Sequence, residues 1–482
     1  MAIMFSVARF KIRDRVLTEL DPDLQLALQA VHADGPWPLC LCRDPGVEMY
    51  VAHHYGKYII KRLPNGGHLH HPSCGSYGLA PDDSGLGQAN EAVVEHSPDR
   101  IEVRVDFAMS EVEGQAVERE AGTGSLVLGA IKRKLSIRGL LHRLWEGAEF
   151  NVWHPRMRDK RPWYVIRKYL LAEAERIEMK GFKLSDRICI PEPFNEDQRD
   201  EIVAARRDWF DRLRQSGESG KRAKFGFIIG ELKDLADAPG GNKAIIIKNM
   251  WEMSFPLPGK LSGQFKKRFS SELAAALLMK APVRLIVAFT VAPRTDGFNV
   301  NTITLMMTTM NWIPVDFHHE RFLADLLTEQ ERHFIKPLRF DAPGTTAFAN
   351  FNMTDTGDRP TALNIVGGTE DKKAEAAKIG WLSTRSEPGW VWRVGTSSAP
   401  PALPAVGPKY RGQADYSVPP QPTDAIPHEA HDDGDLPNPR PTPISEHILR
   451  GQPTDQVARQ APSLQGGEDV KISTARQSDG RD

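Results

Sequence analysis

Four cysteines in 482 residues are too few to staple a chain of this length, which excludes a disulfide framework. Long apolar runs are lacking too. No uncharged stretch approaches the roughly 18 residues needed to cross a bilayer. Met1–Leu17 carries Arg9, Lys11, Arg13, Asp14 and Arg15 inside its apolar pattern, which a signal peptide would not. Nor is there a surplus of either charge. With 62 basic and 63 acidic residues, no global field calls for nucleic acid or an anionic membrane, so any electrostatic case must be local. These absences predict a soluble, cytoplasmic protein with no membrane partner. The length itself exceeds one ordinary domain and predicts two or three folded units with tails.

What the chain does have is concentrated. Three of its cysteines fall between Cys40 and Cys74. The stretch opens on Leu39-Cys40-Leu41-Cys42 and closes on His68-Leu69-His70-His71-Pro72-Ser73-Cys74. Between them Glu48–His53 and Tyr58–Leu63 read as a hairpin about a Tyr55-Gly56-Lys57 turn, and Pro64-Asn65-Gly66-Gly67 delivers the histidines. Zinc takes about four thiolate or imidazole ligands in a tetrahedron. Cys40 and Cys42 could supply two of them, although one intervening residue is shorter than the usual spacing. Cys74 and either His70 or His71 could supply the others, and spacing alone does not choose between the histidines. Four protein ligands leave no open position for water, so such a zinc would be structural. The bland alternative is three small core thiols beside a solvated histidine cluster.

Along the chain, Asp21 and Pro22 read as the cap and first position of a helix near Leu20–Leu28. Residues 80–98 read as a linker or long loop, Ile101–Phe107 and Ser125–Leu128 as strands. Ser136 caps a helix bearing Ile137, Leu140, Leu141, Leu144 and Trp145. A second helix starts at Pro162, and the pair is compatible with a winged-helix unit. Strands are predicted at Phe225–Glu231, Ala244–Lys248, Val283–Val291, Asn299–Met310 and Thr361–Val366. Helices are predicted at Asn195–Arg214, Leu261–Lys280 and Glu320–Phe334. Residues 400–482 hold 14 prolines and only two aromatics, Tyr410 and Tyr416, too little apolar surface to offset chain entropy. The fold class is therefore α+β or α/β and multidomain. The predicted units are an N-terminal helix and zinc-ribbon-like module (1–79), a linker and strand (80–122) and a basic aromatic helical segment (123–180). A mixed α/β domain (181–395) and a disordered Pro-rich tail (396–482) complete it.

Two further stretches bear on chemistry. Ile131–Lys168 carries eleven basic residues against Glu146, Glu149 and Asp159. Lys132, Arg133, Lys134, Arg138, Arg156, Arg158, Lys160 and Arg161 are its candidates for contacting DNA or RNA phosphates. The interleaved Trp145, Trp153, Trp163 and Tyr164 offer either base stacking or simply a core. Glu231-Leu232-Lys233, at a strand end, is half of a Mg²⁺-dependent nuclease arrangement and needs a second acid from Asp208, Asp211 or Glu218. Asp316-Phe317-His318-His319-Glu320 could hold a metal or cap a helix, and Asp355 and Asp358 read as turn-formers. Gly217–Arg222 fails as a phosphate loop for want of the first glycine and of the Ser or Thr after the lysine. Cys189 reads as packed rather than reactive.

The chain resembles the domain-of-unknown-function family 1173. The resemblance rests on Cys40-Leu41-Cys42, Lys61–Gly67, His70–Tyr77, Leu140–Trp145, Asn151–Pro155, Ile190–Phe194, Gly230–Lys233 and Asn311–Pro314, across about residues 35–395. In that family the histidine stands four positions before the last cysteine, which implies His70. The resemblance also implies a bacterial mobile-element setting, plasmid or integrating conjugative element, and no established activity. Together the residues and the resemblance predict a zinc-stabilised, nucleic-acid-associated accessory protein. The alternatives are a Mg²⁺-dependent nuclease using Glu231 and Lys233, and a protein–protein adaptor recruiting partners through its tail.

Overall fold

The computed structural model describes residues 8–408, apart from 33–34, 55, 90, 98, 111–132, 217–222, 251, 279–282, 295–296, 369–370 and 386–388. The described residues all fall within one unit, and a second, Glu446–Asp482, lies outside them. The expected strand Ser125–Leu128 and the Gly217–Arg222 stretch also lie outside them. Among the described residues the architecture is mixed α+β, with four sheets and nine α-helices. None of these helices is long and apolar enough to cross a membrane.

The first sheet has the order β2-β1-β3-β4-β5. Its strands are β1 (Arg9–Ile12), β2 (Arg15–Thr18), β3 (Leu39–Cys40), β4 (Val47–His54) and β5 (Lys57–Arg62). Helix α1 (Leu24–His32) packs on β4 and β5, burying Leu28 and Val31 against Phe10, Ile12, Leu17, Cys40 and Met49. The predicted hairpin is β4–β5, in register from Met49 with Arg62 to His54 with Lys57. The helix starts later than its predicted cap. Asp21 instead closes a turn, accepting from the Thr18 amide at 2.6 Å and its hydroxyl at 2.7 Å.

The stretch expected to be a linker is packed. Helix α2 (Leu86–Ala89) and strand β6 (Val93–Ser97) follow a 3-10 turn over Pro81–Asp83, and Ala89 and Ala92 are buried. Gly85 lies so close to the Arg339 carbonyl that a Cβ there would sit 2.0 Å from its oxygen. Strand β7 (Arg100–Val103) pairs with β6, and Val105 then bridges to Leu135.

Ser136 caps α3 (Ile137–Gly147) as its position predicts, its Oγ accepting from the Arg138 amide at 3.1 Å and the Gly139 amide at 3.3 Å. Strand β8 (Val152–Trp153) and helix α4 (Trp163–Arg176) come next. β9 (Ile177–Met179) and β10 (Phe182–Lys183) complete a second sheet, β10-β9-β7-β6. Eight of the eleven α3 residues are buried, so α3 has no broad face free to enter a nucleic-acid groove. The predicted helix pair is built into the main core, which runs from Ala89 to Phe340 and includes Leu140, Leu144, Trp145, Ile166 and Trp312.

The largest sheet is organised on β12 (Gly226–Ala238), which follows β11 (Ile188–Cys189) and α5 (Arg199–Gln215). The remaining strands are β13 (Asn242–Ile247), β14 (Phe255–Leu257), β15 (Arg284–Arg294) and β16 (Gly297–Thr308), in the order β14-β13-β12-β15-β16, with β11 parallel to β12. Residues 226–232 are buried throughout, so Gly226–Gly230 reads as a continuous apolar run rather than an alternating one, and Glu231 after it is buried with its charge paired. The single predicted helix Leu261–Lys280 is two, α6 (Gly259–Arg268) and α7 (Ser270–Leu278), parted where Phe269 leaves helical geometry at φ −111°, ψ 24°.

Helix α8 (His318–Glu329) leads to β17 (Phe334–Ile335), β18 (Phe351–Met353) and β19 (Thr361–Val366); α9 (Lys372–Ser383) then leads to β20 (Trp390–Arg393). The fourth sheet has the order β20-β19-β18-β17-β8, its parallel β19–β20 pair bridged by α9. The chain stays packed past the expected boundary at residue 395. Trp392 Nε1 donates to the Ser397 carbonyl at 3.0 Å, Trp390 Nε1 to the Ala402 carbonyl at 3.0 Å and Arg332 to the Pro404 carbonyl at 2.8 Å. The Gly407 amide donates to the Asp355 carbonyl at 2.8 Å. Two indole N–H groups and one N–H of a buried arginine find their acceptors in backbone carbonyls of this segment, so proline content misled at residues 396–407.

Candidate metal centre

Cys40 ends up buried because β3 is an interior strand, with Phe10 of β1 opposite Cys40 on one side and Val47 of β4 on the other. Cys42 follows in the turn into β4. The second pair comes from beyond β5. Asn65, at φ 53°, and the two glycines after it reverse the chain. Gly67 then touches Gly78 so closely that a Cβ would sit 2.8 Å from the Gly78 Cα, which folds the His70–Cys74 loop back over the sheet. A turn closed by the Cys74 amide on the His71 carbonyl at 2.8 Å brings Cys74 beside His70.

The four donors Cys40, Cys42, His70 and Cys74 converge, every ligand atom lying within 4.8 Å of the others. Cys40 Sγ lies 3.7 Å from Cys74 Sγ, and His70 Nδ1 lies 3.4 Å from Cys42 Sγ and 3.8 Å from Cys74 Sγ. Among the described residues no other group of three or more His, Cys, Asp or Glu side chains gathers in this way. All four cysteines are free thiols. The His71 amide points at Cys42 Sγ and the Ser76 amide at Cys74 Sγ, each at 3.4 Å, the kind of donor that stabilises a thiolate.

Crowding separates the thiols. Cys40 is pushed up by its contacts with Cys42 and Cys74 and by burial, whereas Cys42 is drawn down by Cys40 and Cys74, with His70 and the His71 amide adding to it. Cys74 is pushed up to about 11; its bond with Cys40 acts downward and is outweighed by Cys42 and burial. Three thiolates cannot share this space without a cation among them.

His70 and His71 play different parts. His70 is fully buried, and its Nε2 has no hydrogen-bond partner. The ring's only polar engagement among the described residues is through Nδ1, with the sulfurs. His71 turns away. Its Nδ1 accepts from the Ser73 amide at 3.1 Å and meets Ser73 Oγ at 2.7 Å, so the proton is on Nε2, which donates to Asp358 Oδ1 at 3.0 Å. His53 and His68 are exposed, and His53 stacks on Tyr58 with ring centroids 4.7 Å apart.

A match to the family described as "Protein of unknown function (DUF1173)" covers residues 10–395. The chain belongs to that family. No curated protein and no solved structure matches it. In this DUF1173 protein the matched span holds all four donors as well as the other sequence-predicted sites.

Those other sites are mostly engaged internally. Lys132 lies outside the described residues. Arg133 donates to the Gln88 carbonyl at 2.7 Å, Arg138 to Asp316 at 3.3 Å, and Arg158 to the Thr328 carbonyl at 3.0 Å while pairing with Glu331 at 3.3 Å. Arg161 donates to four carbonyls, those of Glu149, Phe150, Val152 and Asn311, and burial draws it down to about 9. It staples the end of α3 to the Asn311 turn. Arg156 is half-buried, and Lys134 and Lys160 are exposed.

Glu231 is buried between Lys248 Nζ at 2.7 Å and Arg284 at 3.0 Å. Asp208 and Asp211 lie on α5 and join it in no metal-sized group among the described residues, and Glu218 lies outside them. Both Glu231 oxygens thus serve ion pairs. Asp355 is likewise taken by Arg332, through two bonds of 2.8 and 2.9 Å. Cys189 is pushed up to about 12 by burial, first of all, and by Glu192. Asp316 and Glu320 gather cations rather than a metal. Glu320 takes Lys336 at 2.9 Å and Asn350 at 2.7 Å. Sequence reasoning saw Asp316 and Arg138 separately but not that they meet across 178 residues of chain, since neither has a local pattern that names its partner.

Proposed function

We propose that this protein carries a structural zinc, held by Cys40, Cys42, His70 and Cys74, that clasps the β3–β4 turn to the loop after β5. The observation that supports it is metric. Zinc with sulfur at about 2.3 Å and nitrogen at about 2.0 Å makes a tetrahedron with edges of about 3.5–3.8 Å. Three of the six edges are 3.7, 3.4 and 3.8 Å, and all six lie within 4.8 Å. Four protein ligands close the shell, so the ion's contribution is folding energy and not a bound water. Metal analysis of the purified chain should return about one zinc per chain, and Cys74→Ser should abolish it together with the protease resistance of residues 35–79. A chain that folds equally well and binds no zinc would overturn the reading.

A second reading is association with nucleic acid, the role in a mobile element that the family resemblance implied. One observation favours it. Tyr164, 60% exposed on the first turn of α4, follows exposed Lys160 in the segment leading into the helix and lies one turn from exposed Lys168. An uncovered aromatic with exposed lysines before and after it in sequence suits base stacking with phosphate contacts. Gel-shift binding across a salt series, with Tyr164→Ala and Lys168→Gln, tests it. Absence of binding at low salt, or binding indifferent to both substitutions, removes it.

A further inference from the structure

A second polar site lies far along the chain from the cysteines. It is a small pocket open to solvent on one side, lined by Arg138 and His142 of α3, Glu272 of α7, Asp316, Lys336 and Arg339. Asp316 is shared among three cations, at 3.3 Å from Arg138, 3.6 Å from Arg339 and 3.8 Å from Lys336. One carboxylate at these separations satisfies few of the donors aimed at it. A guanidinium has five N–H groups. Among the described residues Arg138 donates to no acceptor besides Asp316. Arg339 spends one donor on the Thr346 carbonyl at 3.2 Å and lays its guanidinium over Phe348.

His142 adds a fixed donor. Buried to 3% exposure, it accepts the Phe340 amide at Nδ1 over 2.9 Å. Burial and then Arg138 draw it down to about 3, so the ring is neutral and its proton sits on Nε2, the edge opposite Phe340. Two carboxylates oppose the cations. Asp316 stays charged: burial works against it, but Lys336, Arg138 and Arg339 outweigh burial and hold it well below the usual range. Glu272 is the opposite case, its carboxyl pushed up chiefly by burial. Lys336 is further tied to Glu320.

We propose that this pocket binds a phosphate-class oxyanion, gripped by the forks of Arg138 and Arg339 with Lys336 behind them and the His142 Nε2–H as a further donor. Planar forks from two sides suit a tetrahedral anion with several oxygens better than a point anion such as chloride. Asp316 orients the two forks. The ligand is either free phosphate or a phosphoryl group on a larger molecule. The site stands independently of the zinc reading, since none of its residues belongs to the metal cluster.

The test is thermal denaturation of the full chain at constant ionic strength with inorganic phosphate or adenosine 5′-monophosphate replacing chloride. A ligand confined to the native state raises Tm saturably. Phosphate should do so, and Arg339→Gln should weaken the half-saturation concentration by about tenfold or more, a charge-assisted bidentate contact being lost. Lys373→Gln, exposed on α9, should leave it unchanged. Tighter half-saturation by the nucleotide assigns the site to a phosphoryl group on a larger molecule, and equal or weaker assigns it to free phosphate. If Arg339→Gln does not fold, Arg339→Lys keeps the charge beside Asp316 and gives up the fork, with the same expected weakening. No saturable rise with either probe, or a rise that the Arg339 variants share, overturns the proposal.

Discussion

His71 Nε2 donates to Asp358 across 3.0 Å and 287 residues of sequence, while its neighbour His70 turns its own Nδ1 to Cys42 and Cys74. Two adjacent imidazoles thus serve different ends: one completes the group of four donors and the other ties that loop to the turn after β18.

Metal content should separate them. His70→Gln should lose the zinc, and His71→Gln should keep it. Asp358 is 76% exposed, and a pair with one such partner is worth about 0–1 kcal/mol. Asp358→Asn should therefore lower stability by that amount at most and leave zinc unchanged. Loss of metal from His71→Gln, with retention in His70→Gln, would reverse the assignment.

Glu231 gives a prediction opposed to a catalytic one. With Lys248 and Arg284 on its two oxygens, Glu231→Gln should cost about 2–4 kcal/mol in urea denaturation, the penalty of leaving partly buried cations without their anion. A divalent-cation site would behave otherwise: the substitution would cost little in the metal-free chain, where it relieves repulsion between carboxylates, and would remove a Mg²⁺-dependent gain in Tm. Such a gain, lost in the variant, would restore the nuclease reading.

The core carries a relay of indoles. Trp145 Nε1 donates to the Trp312 carbonyl at 3.0 Å, and Trp312 Nε1 to the Arg161 carbonyl at 2.7 Å. Trp145→Phe removes a donor from a buried carbonyl and leaves unfilled volume, which should cost about 2–4 kcal/mol. A cost below 0.5 kcal/mol (about the noise of a surface change) would mean the relay contributes little.

Acid should weaken the fold through histidines. Burial and nearby cations draw His142 down to about 3, and burial, His333 and neighbouring arginines draw His154 down to about 3. In the unfolded chain both titrate near pH 6.5. The unfolded state binds more protons between those values, so stability is fully present above about pH 6.5 and falls as pH drops toward 3, at about 1 kcal/mol per unit for each. His142→Asn keeps an acceptor for the Phe340 amide and should flatten part of that slope. An unchanged slope in the variant would clear His142 of the effect.

How much of this could be read from residues depends on how local each cause is. The β4–β5 hairpin, the Ser136 cap and the donor set were legible because alternation, a cap residue and clustered thiols act within a few residues. Which of two adjacent histidines faces the sulfurs was not legible from spacing, and only the family resemblance pointed to His70, because Ser73 and Asp358 hold His71 away and Asp358 lies 287 residues along the chain. The basic excess of Ile131–Lys168 was legible as charge, and its use was not. Carbonyls at Gln88, Asn311 and Thr328 claim three of its arginines, and a carbonyl leaves no mark in a sequence. Strand β20 went unforeseen for a related reason. Trp390 and Trp392 are placed by hydrogen bonds to a proline-rich segment that composition had set aside.

That segment sets where the chain can be cut. The family match ends at residue 395, and a truncation there would look natural. It would strip Trp390, Trp392 and Arg332 of the carbonyls at Ala402, Ser397 and Pro404, stranding three donors at the edge of the fourth sheet. A chain ending at 408 keeps them all. The shorter one should express poorly, melt lower and be trimmed by proteases through β20, so the working boundary of the folded body lies at least a dozen residues past the edge of its family.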